Sequence, residues 1–360
     1  MPELPEVETV RRGLDALLTG QTVNAIHALE PTSLRGDTRE LIGRRVIGSW
    51  RRGKVLGLEL DRGSCLVAHL KMTGQMVYRQ PATAGRDGGP DQAWGAGHPS
   101  DSLIGQLPDN STRVILEFND GGRLYFNDQR KFGWLAIMAS EDVASIPLLA
   151  RMGPEPFDPD AWPEFRRRIR RHQRLVIKAT LLDQSVIAGI GNIYADEALW
   201  AARIHPMTPV GAVSDRKLKE LLGAAVAVME LSLSLGGSTD RNYVDAEGRR
   251  GAYLDFAKVF RRQGQPCERC GRTIIKTRVA GRGTHICTNC QRRRALPAPS
   301  QPPGDRNSCA RTSPTESGQT GESQERGTHQ PRSHQPSKEG RSAPKVVGSP
   351  WPGWTIAASS

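Results

Sequence analysis

Four of the six cysteines lie within one 24-residue window and form two close pairs. The pairs are Cys267 with Cys270 and Cys287 with Cys290, in the spacing C-x2-C-x16-C-x2-C. Each pair can clamp one edge of a tetrahedral zinc ion, and the chain between the pairs then forms a hairpin. Because four thiolates leave no coordination position open for water, the spacing predicts one structural Zn²⁺. Cys65 and Cys309 are isolated, which fits a metal site in a reducing compartment better than a disulfide scaffold.

A second source of chemistry is the amino terminus, Met1-Pro2-Glu3. An α-amino group titrates near 7.7–8.0, so roughly a tenth is free base at pH 7, against about one in a thousand or fewer for a lysine. Once Met1 is removed, the secondary amine of Pro2 can attack a sugar C1′ and form a cationic iminium, which is an electron sink. Glu3 supplies an adjacent carboxyl group that can move protons. Taken alone, these residues are weak evidence, because many proteins begin Met-Pro-Glu and an ordinary N-terminus is then the better interpretation.

The element that must position this terminus is a helix over residues 1–20. Its apolar residues recur at helical spacing and form one stripe, consisting of Val7, Val10, Leu14 and Leu17. Pro5 suits the first turn of such a helix, and Gly20 suits its C-terminal stop. The stripe predicts core packing.

From residue 21 to 140 the pattern changes to short β-rich runs separated by turn residues. The runs cover residues 45–50, 54–60, 65–70, 113–118, 123–126 and 134–138. Spacing of this kind predicts an antiparallel sandwich or barrel. Residues 79–110, rich in Gly, Pro and Ala, are interpreted as a flexible insertion.

From residue 151 onwards the patterns are helical, with predicted helices at 163–172, 193–202 and 215–235. A glycine turn at 188–192 leads into the second of these, where backbone N–H groups favour phosphate. The predicted domains are 1–150, 151–262 with a loop at 236–256, 263–293 around the cysteines, and a tail at 294–360. The tail is rich in Pro, Ser, Gly and Gln and cannot bury enough apolar surface to fold alone, so we expect it to be disordered.

Charge and hydropathy restrict the possible partners. The chain carries a net charge of +12 and has a pI of about 9.8, which favours a polyanionic partner such as nucleic acid. No apolar run approaches the roughly 20 residues that a membrane span needs. Acidic residues at positions 3, 6 and 8 argue against a secretory signal peptide, so we expect an intracellular protein.

Six segments taken together resemble the formamidopyrimidine-DNA glycosylase family, in the family's order and over about residues 1–293. They are MPELPEVETVRRGL at the start, RRGKVL at 51–56, HLKMTG at 69–74, NDQRKFG at 127–133, AGIGNIYADEAL at 188–199 and the four-cysteine finger. The resemblance implies an N-terminal antiparallel β-sandwich with flanking helices. A helix–two-turns–helix domain and a β-hairpin zinc finger would follow, making an α+β multidomain protein. It also implies excision of oxidised purines from duplex DNA, followed by β,δ-elimination, by a monomeric enzyme of the bacterial cytoplasm and nucleoid.

The resemblance also implies residue roles. Pro2 would be the Schiff-base nucleophile and Glu3 the main proton donor and acceptor, with Lys54 assisting β-elimination and Arg282 assisting δ-elimination. Met72, Arg130 and Phe132 would fill the space that an everted nucleotide leaves, since Met and Phe replace lost stacking and Arg can bond the unpaired cytosine. Further DNA contacts would come from His69, Lys178 and Asn192. Many family members have K-H-x-R where this chain has Asn110-Ser111-Thr112-Arg113, so the chain departs from the family at a histidine that contacts DNA.

Three other functions are weighed against this one. An endonuclease VIII-like enzyme would share Pro2 and Glu3 but prefer oxidised pyrimidines; that branch typically begins PEGPE, whereas this chain has Leu4, and it tends to lack the Arg-x-Phe wedge. A non-catalytic DNA-damage binder has no need to retain Pro2, Glu3 and Lys54. A zinc-ribbon interaction module explains the cysteines and none of the N-terminal segments.

Overall fold

The first helix begins with a reciprocal cap. In the computed structural model, which describes residues 1–80, 93–97, 106–238 and 251–296, α1 spans Leu4–Leu18. The backbone N–H of Glu3 donates to the Glu6 carboxylate at 2.8 Å, and the Glu3 carboxylate caps the first turn in return. Pro5 lies in that turn, where its missing N–H costs nothing. The predicted apolar stripe faces the core, because Val7, Val10 and Leu14 are buried.

Ten strands form two five-stranded sheets. The first sheet has the order β1 (Val23–Ala28), β8 (Thr112–Phe118), β9 (Arg123–Asp128), β6 (Gly74–Arg79) and β7 (Ala93–Gly97). The second has the order β2 (Leu34–Arg35), β10 (Trp134–Ala139), β5 (Ser64–His69), β4 (Val55–Leu60) and β3 (Val46–Arg52). All neighbours are antiparallel except β2 and β10. One apolar cluster takes residues from both sheets and from α1, so the predicted sandwich is confirmed.

Part of the predicted flexible insertion is a strand. Within 79–110, residues Ala93–Gly97 pair with Arg79 to Gln75 of β6 in antiparallel register. The exposed edge of β6 offers unpaired N–H and C=O groups, and a fifth strand satisfies them. Five residues of the predicted flexible insertion are therefore paired in the first sheet. Residues 81–92 and 98–105 lie outside the described part of the chain.

Helices build the second core. They are α2 (Pro147–Ala150), α3 (Ala161–Ile169), α4 (Ile177–Leu181), α5 (Asn192–Ala201), α6 (Asp215–Ser234) and α7 (Tyr253–Phe256). The predictions at 193–202 and 215–235 agree within one residue at each end. The remaining prediction, 163–172, corresponds to α3, which begins two residues earlier. Pro163 lies in the first turn of α3, where a proline is tolerated. No helix in the described ranges has the length and apolarity needed to cross a membrane.

The cysteine segment is a hairpin with a small core of its own. Strands β11 (Ile275–Val279) and β12 (Arg282–Ile286) pair antiparallel, as the spacing predicts. Ile274 and Val259 pack with Cys267, Cys287 and Trp200, which lies near the end of α5. The finger is thereby joined to the helical core. The predicted disordered tail beyond residue 296, and residues 239–250 of the predicted loop, lie outside the described residues.

Candidate active site and nucleic-acid interface

The Glu3 carboxylate lies at the N-terminus of α5. It accepts hydrogen bonds from the backbone N–H of Ile193 at 2.9 Å and of Tyr194 at 3.4 Å. A Cβ on Gly191 would lie 2.3 Å from the carboxyl carbon of Glu3, so only glycine permits this approach. The backbone N–H of Leu4 also donates to the Gly189 carbonyl at 3.1 Å. The glycine turn therefore receives the amino terminus of the chain.

Burial dominates the protonation of this carboxyl group. Glu3 is 3% exposed, and loss of water raises its pKa to about 7. The positive charge of Lys54 opposes that rise, while the negative charge of Glu6 adds to it. A carboxyl group with this pKa holds a proton in about half of the molecules at neutral pH, so it can both give and take one.

Lys54 belongs to the same site. It lies in the turn between β3 and β4, and its Nζ donates to the Ile190 carbonyl at 2.9 Å. Burial lowers the pKa of this ammonium group, against the attraction of Glu3 and Glu6. Nearby Arg282 lowers it further. The structure thus brings together Glu3, Lys54 and the glycine turn, three features that are far apart in the sequence.

Glu6 is a residue of this site that the sequence reasoning missed. Its carboxylate accepts hydrogen bonds from the Tyr194 hydroxyl and from the N–H and Oγ of Ser238, at 2.8 and 2.7 Å for the latter two. The Tyr194 hydroxyl also contacts Ser232 Oγ at 2.5 Å. Glu6 therefore joins α1 and α5 to the start of the predicted 236–256 loop, and Tyr194 extends the network to α6. The E-x-x-E spacing of Glu3 and Glu6, a capping-box pattern, was the available signal.

His69 ends β5 with its ring oriented by the backbone. Its Nδ1 accepts the N–H of Lys71 at 3.0 Å, which leaves Nε2 to carry the proton. Burial and the charges of Lys71 and Lys54 lower its pKa to about 3. His69 is therefore a neutral hydrogen-bond donor at physiological pH. Met72 follows in the half-buried turn that leads to β6.

The Arg130–Phe132 segment is an exposed turn after β9. Phe132 is 54% exposed, and the guanidinium of Arg130 lies 4.8 Å from the centre of its ring. Asp128 holds the turn by accepting the backbone N–H of Arg130 at 3.2 Å and of Gly133 at 2.6 Å. An aromatic ring and an arginine are thus presented to solvent on a fixed backbone.

Lys178 does not reach the surface. It is 0% exposed, and its Nζ donates to Asp196 Oδ1 at 2.6 Å and to Thr284 Oγ1 at 2.8 Å. The structure places Lys178, for which the resemblance implies a DNA contact, against Asp196 and the finger hairpin. Asp196, which is itself buried, is the carboxylate that pairs with this ammonium group. An acidic residue within an otherwise apolar helix was the sequence signal for such a partner.

Asn192 lies at the start of α5, beside the finger hairpin. The N–H groups of the two following residues, Ile193 and Tyr194, bind Glu3 and are not open to phosphate. The side-chain Nδ2 of Asn192 donates to the Gly283 carbonyl at 3.0 Å. Asn192 therefore joins the start of α5 to the finger hairpin.

The departure at Ser111 has an internal structural role. Its backbone N–H and Oγ both lie 2.7 Å from Asp109 Oδ1, and its carbonyl accepts the N–H of Asp128 at 2.7 Å. Arg113, two residues on, donates to the Asp128 carbonyl at 2.8 Å. Ser111 thus braces the turn that presents Arg130.

The four finger cysteines form a closed zinc site. Their Sγ atoms all lie within 4.8 Å of one another, with Cys267 to Cys290 at 4.0 Å and Cys270 to Cys287 at 3.4 Å. Tetrahedral zinc with Zn–S bonds of roughly 2.3 Å sets its sulfurs roughly 3.8 Å apart, so the donor set fits one structural Zn²⁺. Arg282, exposed at the start of β12, is carried on the hairpin that this ion closes.

Comparisons with known proteins identify the parts of the chain. A model described as the formamidopyrimidine-DNA glycosylase N-terminal domain matches residues 1–135. The H2TH domain model of the same family matches residues 152–243, and a zinc finger found in FPG and IleRS matches residues 264–293. A formamidopyrimidine-DNA glycosylase from Exiguobacterium sp. is 37% identical over 299 residues, covering 81% of this chain and 100% of the relative.

Solved structures agree with these matches. The Lactococcus lactis Fpg in complex with an N7-benzyl-Fapy-dG containing DNA has a TM-score of 0.68 and 33% identity. The similarity covers 81% of this chain and 100% of that one. The MutM (Fpg) protein from Thermus thermophilus has a TM-score of 0.68 and 39% identity, over 81% of this chain and 99% of that one.

Proposed function

The chain belongs to the formamidopyrimidine-DNA glycosylase family, and on that premise we propose that it is a bifunctional DNA glycosylase and AP lyase. Its substrates are oxidised purines in duplex DNA, namely 8-oxoguanine and formamidopyrimidines. The L. lactis relative was solved with DNA that contains a Fapy-dG derivative, which supports this substrate class. The observation that carries the proposal is the buried Glu3 carboxyl group, with a pKa of about 7, next to Pro2 at the glycine turn.

The chemistry begins once Met1 has been removed and the Pro2 nitrogen has become a free amine. That nitrogen forms a bond to C1′ as the bond from C1′ to the base breaks, and the base leaves with the electron pair and receives a proton from Glu3. The Pro2 nitrogen gives up its proton, the C1′–O4′ bond breaks with O4′ taking a proton, and the nitrogen lone pair completes the iminium. This iminium acidifies the C2′ proton, whose removal expels the 3′ phosphate in the β step. Lys54 assists this step, since its ammonium group binds the Ile190 carbonyl of the glycine turn, where Glu3 also lies. Arg282 then pairs with the phosphate that leaves in the δ step.

The remaining residues bind the duplex. His69 donates from Nε2 to a phosphate oxygen as a neutral group. The side chain of Asn192, rather than the N–H groups of α5, contacts the sugar–phosphate backbone of the DNA, and Lys178 adds positive charge behind it. Met72, Arg130 and Phe132 fill the gap left by the everted nucleotide. The exposed ring of Phe132 and its stacked arginine support this role. A buried aromatic residue could not serve it.

We further propose the division of the chain. Residues 1–150 are the catalytic sandwich, 151–262 the helical DNA-binding domain with the lesion loop at 236–256, and 263–293 the zinc finger that grips the duplex. The 294–360 segment is a basic, disordered tail. The enzyme acts as a monomer on the chromosome, in the cytoplasm of a bacterial cell.

An endonuclease VIII-like preference for oxidised pyrimidines is the second candidate. The exposed Arg130–Phe132 pair favours the purine enzyme, because the endonuclease VIII-like branch tends to lack the Arg-x-Phe wedge. A non-catalytic binder is disfavoured by the raised pKa of Glu3, which a purely structural helix cap does not require.

Borohydride trapping tests the proposal. The protein is incubated with an 8-oxoguanine:cytosine duplex, sodium borohydride is added, and the adduct is mapped by mass spectrometry. An adduct on Pro2, with Met1 absent, is expected, because only an iminium is reduced to a stable bond. An adduct on a lysine would refute the mechanism while leaving the glycosylase activity. Trapping only with an oxidised-pyrimidine duplex would favour the second candidate, and tight binding without any adduct would favour the non-catalytic binder.

A further inference from the structure

Strand β12 of the finger is fastened to the helical core by one buried ammonium group. The Lys178 Nζ donates to Asp196 Oδ1 at 2.6 Å, to Thr284 Oγ1 at 2.8 Å and to the Gly283 carbonyl at 3.2 Å. These three acceptors use all three protons of the ammonium group. Lys178 comes from α4, Asp196 from α5 and the other two residues from the hairpin. We call Lys178, Asp196 and Thr284 the finger clasp.

The finger clasp continues directly to Arg282. The Thr284 hydroxyl, which accepts from Lys178, donates its own proton to the Arg282 carbonyl at 3.1 Å. On the other side, Asp196 Oδ2 accepts the backbone N–H of His285 at 2.9 Å. The hairpin backbone is therefore fixed on both sides of Thr284, and Arg282 is the first exposed side chain beyond the clasp.

Complete burial gives this arrangement its geometric precision. Lys178 and Thr284 are 0% exposed and Asp196 is 1% exposed. An ion pair away from water is tolerated only when its geometry is good and its remaining hydrogen bonds are made. Small displacements of the hairpin would break those bonds without water to replace them. The clasp therefore holds one position of β12, whereas a surface ion pair would allow several.

We propose that the finger clasp positions Arg282, and that Asp196 and Thr284 thereby control how far strand cleavage proceeds from β- to δ-elimination. The inference rests on the proposed δ-elimination role of Arg282. In the δ step a proton leaves C4′ and the bond from C5′ to the phosphate oxygen breaks, with its electron pair departing on the phosphate. A guanidinium aimed at that phosphate stabilises the departing charge, and the benefit falls steeply when the group is displaced. Because the clasp residues are buried, the proposal gives them a positioning role that acts through Arg282.

The test is the ratio of δ- to β-elimination products from an 8-oxoguanine duplex, measured on full-length protein. Thr284→Val keeps the shape of the side chain but removes both hydrogen bonds of the hydroxyl, and Thr284→Ser keeps the hydroxyl. We expect the valine variant to lower the ratio about fivefold to tenfold and the serine variant to stay within about twofold, as loss of one buried hydrogen-bonded group predicts. Base release in a single turnover should change far less than the product ratio in both variants.

Arg282→Ala and the double variant separate the possible outcomes. If Arg282 acts in the δ step, R282A lowers the ratio, and adding T284V lowers it no further, because both changes remove the same contribution. If the two substitutions lower the product ratio independently in the double variant, the proposed role of the clasp is refuted. It is also refuted if T284V keeps the wild-type product ratio while R282A lowers it. A wild-type ratio in R282A would instead refute the proposed role of Arg282, and the clasp with it.

Asp196→Asn provides a second variant should T284V lose its fold. An amide at this position places an N–H against either Lys178 or the His285 N–H, so one of the two bonds must break. The product ratio should fall while zinc content, measured by atomic absorption, stays near one ion per chain. A normal ratio in D196N with intact zinc would contradict the proposal.

Discussion

At the residue scale, the site depends on a balance of charge and burial at Glu3. Water exclusion favours the protonated carboxyl group, while Lys54 and two backbone N–H groups favour the carboxylate. Burial has the larger effect, so the pKa rises to about 7. A surface glutamate would be ionised at neutral pH and could not serve as an acid.

The first prediction concerns Glu3→Gln. We expect base release to fall by about 100-fold or more, since proton transfer by a positioned group contributes about 10²–10⁴-fold. The wild-type rate should show an inflection near pH 7 that the variant lacks. Single-turnover rates from pH 5 to pH 9 provide the measurement, and the exposed Glu40→Gln serves as the control. A variant that keeps the inflection would assign it to another group.

The same carboxyl group links stability to pH. Its folded-state pKa of about 7 exceeds the ordinary value of 4.5, so the folded protein binds this proton more tightly than the unfolded chain does. The contribution of Glu3 to the free energy of unfolding is therefore lost as pH rises from about 4.5 to about 7. Denaturant titrations should show Glu3→Gln gaining stability relative to wild type across that window. A constant difference between pH 4.5 and pH 7 would contradict the assignment.

His69 provides a contrasting prediction. Its pKa of about 3 means that the ring remains neutral throughout the physiological range. The NMR shift of its Cε1 proton should stay constant from pH 5 to pH 8. A titration midpoint within that range would show that the ring is more hydrated than the structure indicates.

At the element scale, α5 organises the site from its N-terminus. Its first backbone N–H groups bind Glu3, its Asp196 binds Lys178, and its Glu197 accepts three backbone N–H groups from residues 258–260. One helix of ten residues therefore touches the amino terminus, α4, the finger hairpin and the chain before the finger. This explains acidic residues in a helix that is otherwise apolar and buried.

Gly191→Ala tests the approach of the amino terminus to this helix. An added Cβ would lie 2.3 Å from the Glu3 carboxyl carbon, so the carboxyl group must move and activity should fall by at least about 100-fold. Gly223→Ala is the matched control, because it is an exposed position within α6 with nothing within 4 Å of the new Cβ. The control should gain about 0.5–1 kcal/mol of stability. Equal activities of the two variants would show that α1 and α5 adjust easily.

At the scale of the whole molecule, the sandwich core and the helical core both contribute to the site around Glu3 and Lys54. The sandwich and the helices each have a large apolar cluster, and Leu4 of α1 packs into the helical one. Arg51 adds a buried link, with its guanidinium between Glu8 at 3.1 Å and Glu155 at 2.8 Å. The cluster at the finger has five buried residues, of which only three belong to the finger, and two of those three, Cys267 and Cys287, are zinc ligands. The finger therefore depends on its metal more than the other two parts do.

Chelation of zinc should consequently act on the finger first. Structural zinc contributes apparent binding energies of about 10–16 kcal/mol in zinc-finger peptides, far more than so small a core supplies. We expect a chelator to abolish duplex binding, measured by fluorescence anisotropy, before hydrogen exchange increases in β8 and β9. Restored binding on adding zinc is the control for irreversible damage. Normal duplex binding by the chelated protein would show that the finger is not the grip.

The sequence by itself determined those features that depend on neighbours along the chain. The zinc pairs, the apolar stripe of α1 and the alternation in the strands are local patterns, so their spacing was sufficient to predict them. The resemblance gave the proposed roles of Pro2 and Glu3 from sequence segments alone, without knowledge of which residues contact them. The edge strand at Ala93–Gly97 was not predictable, because it forms through the unpaired edge of β6 rather than through its own residues.

Only the tertiary structure decided the environment of each charged group. A lysine side chain can pair with a phosphate or with a carboxylate. Lys178 pairs with Asp196 because the packing of α4 against α5 places that carboxylate beside it. The raised pKa of Glu3 likewise requires α5 and Lys54, which lie about 190 and 50 residues away in the chain. Desolvation and long-range pairing are properties of the packed molecule, and a linear pattern does not encode them residue by residue.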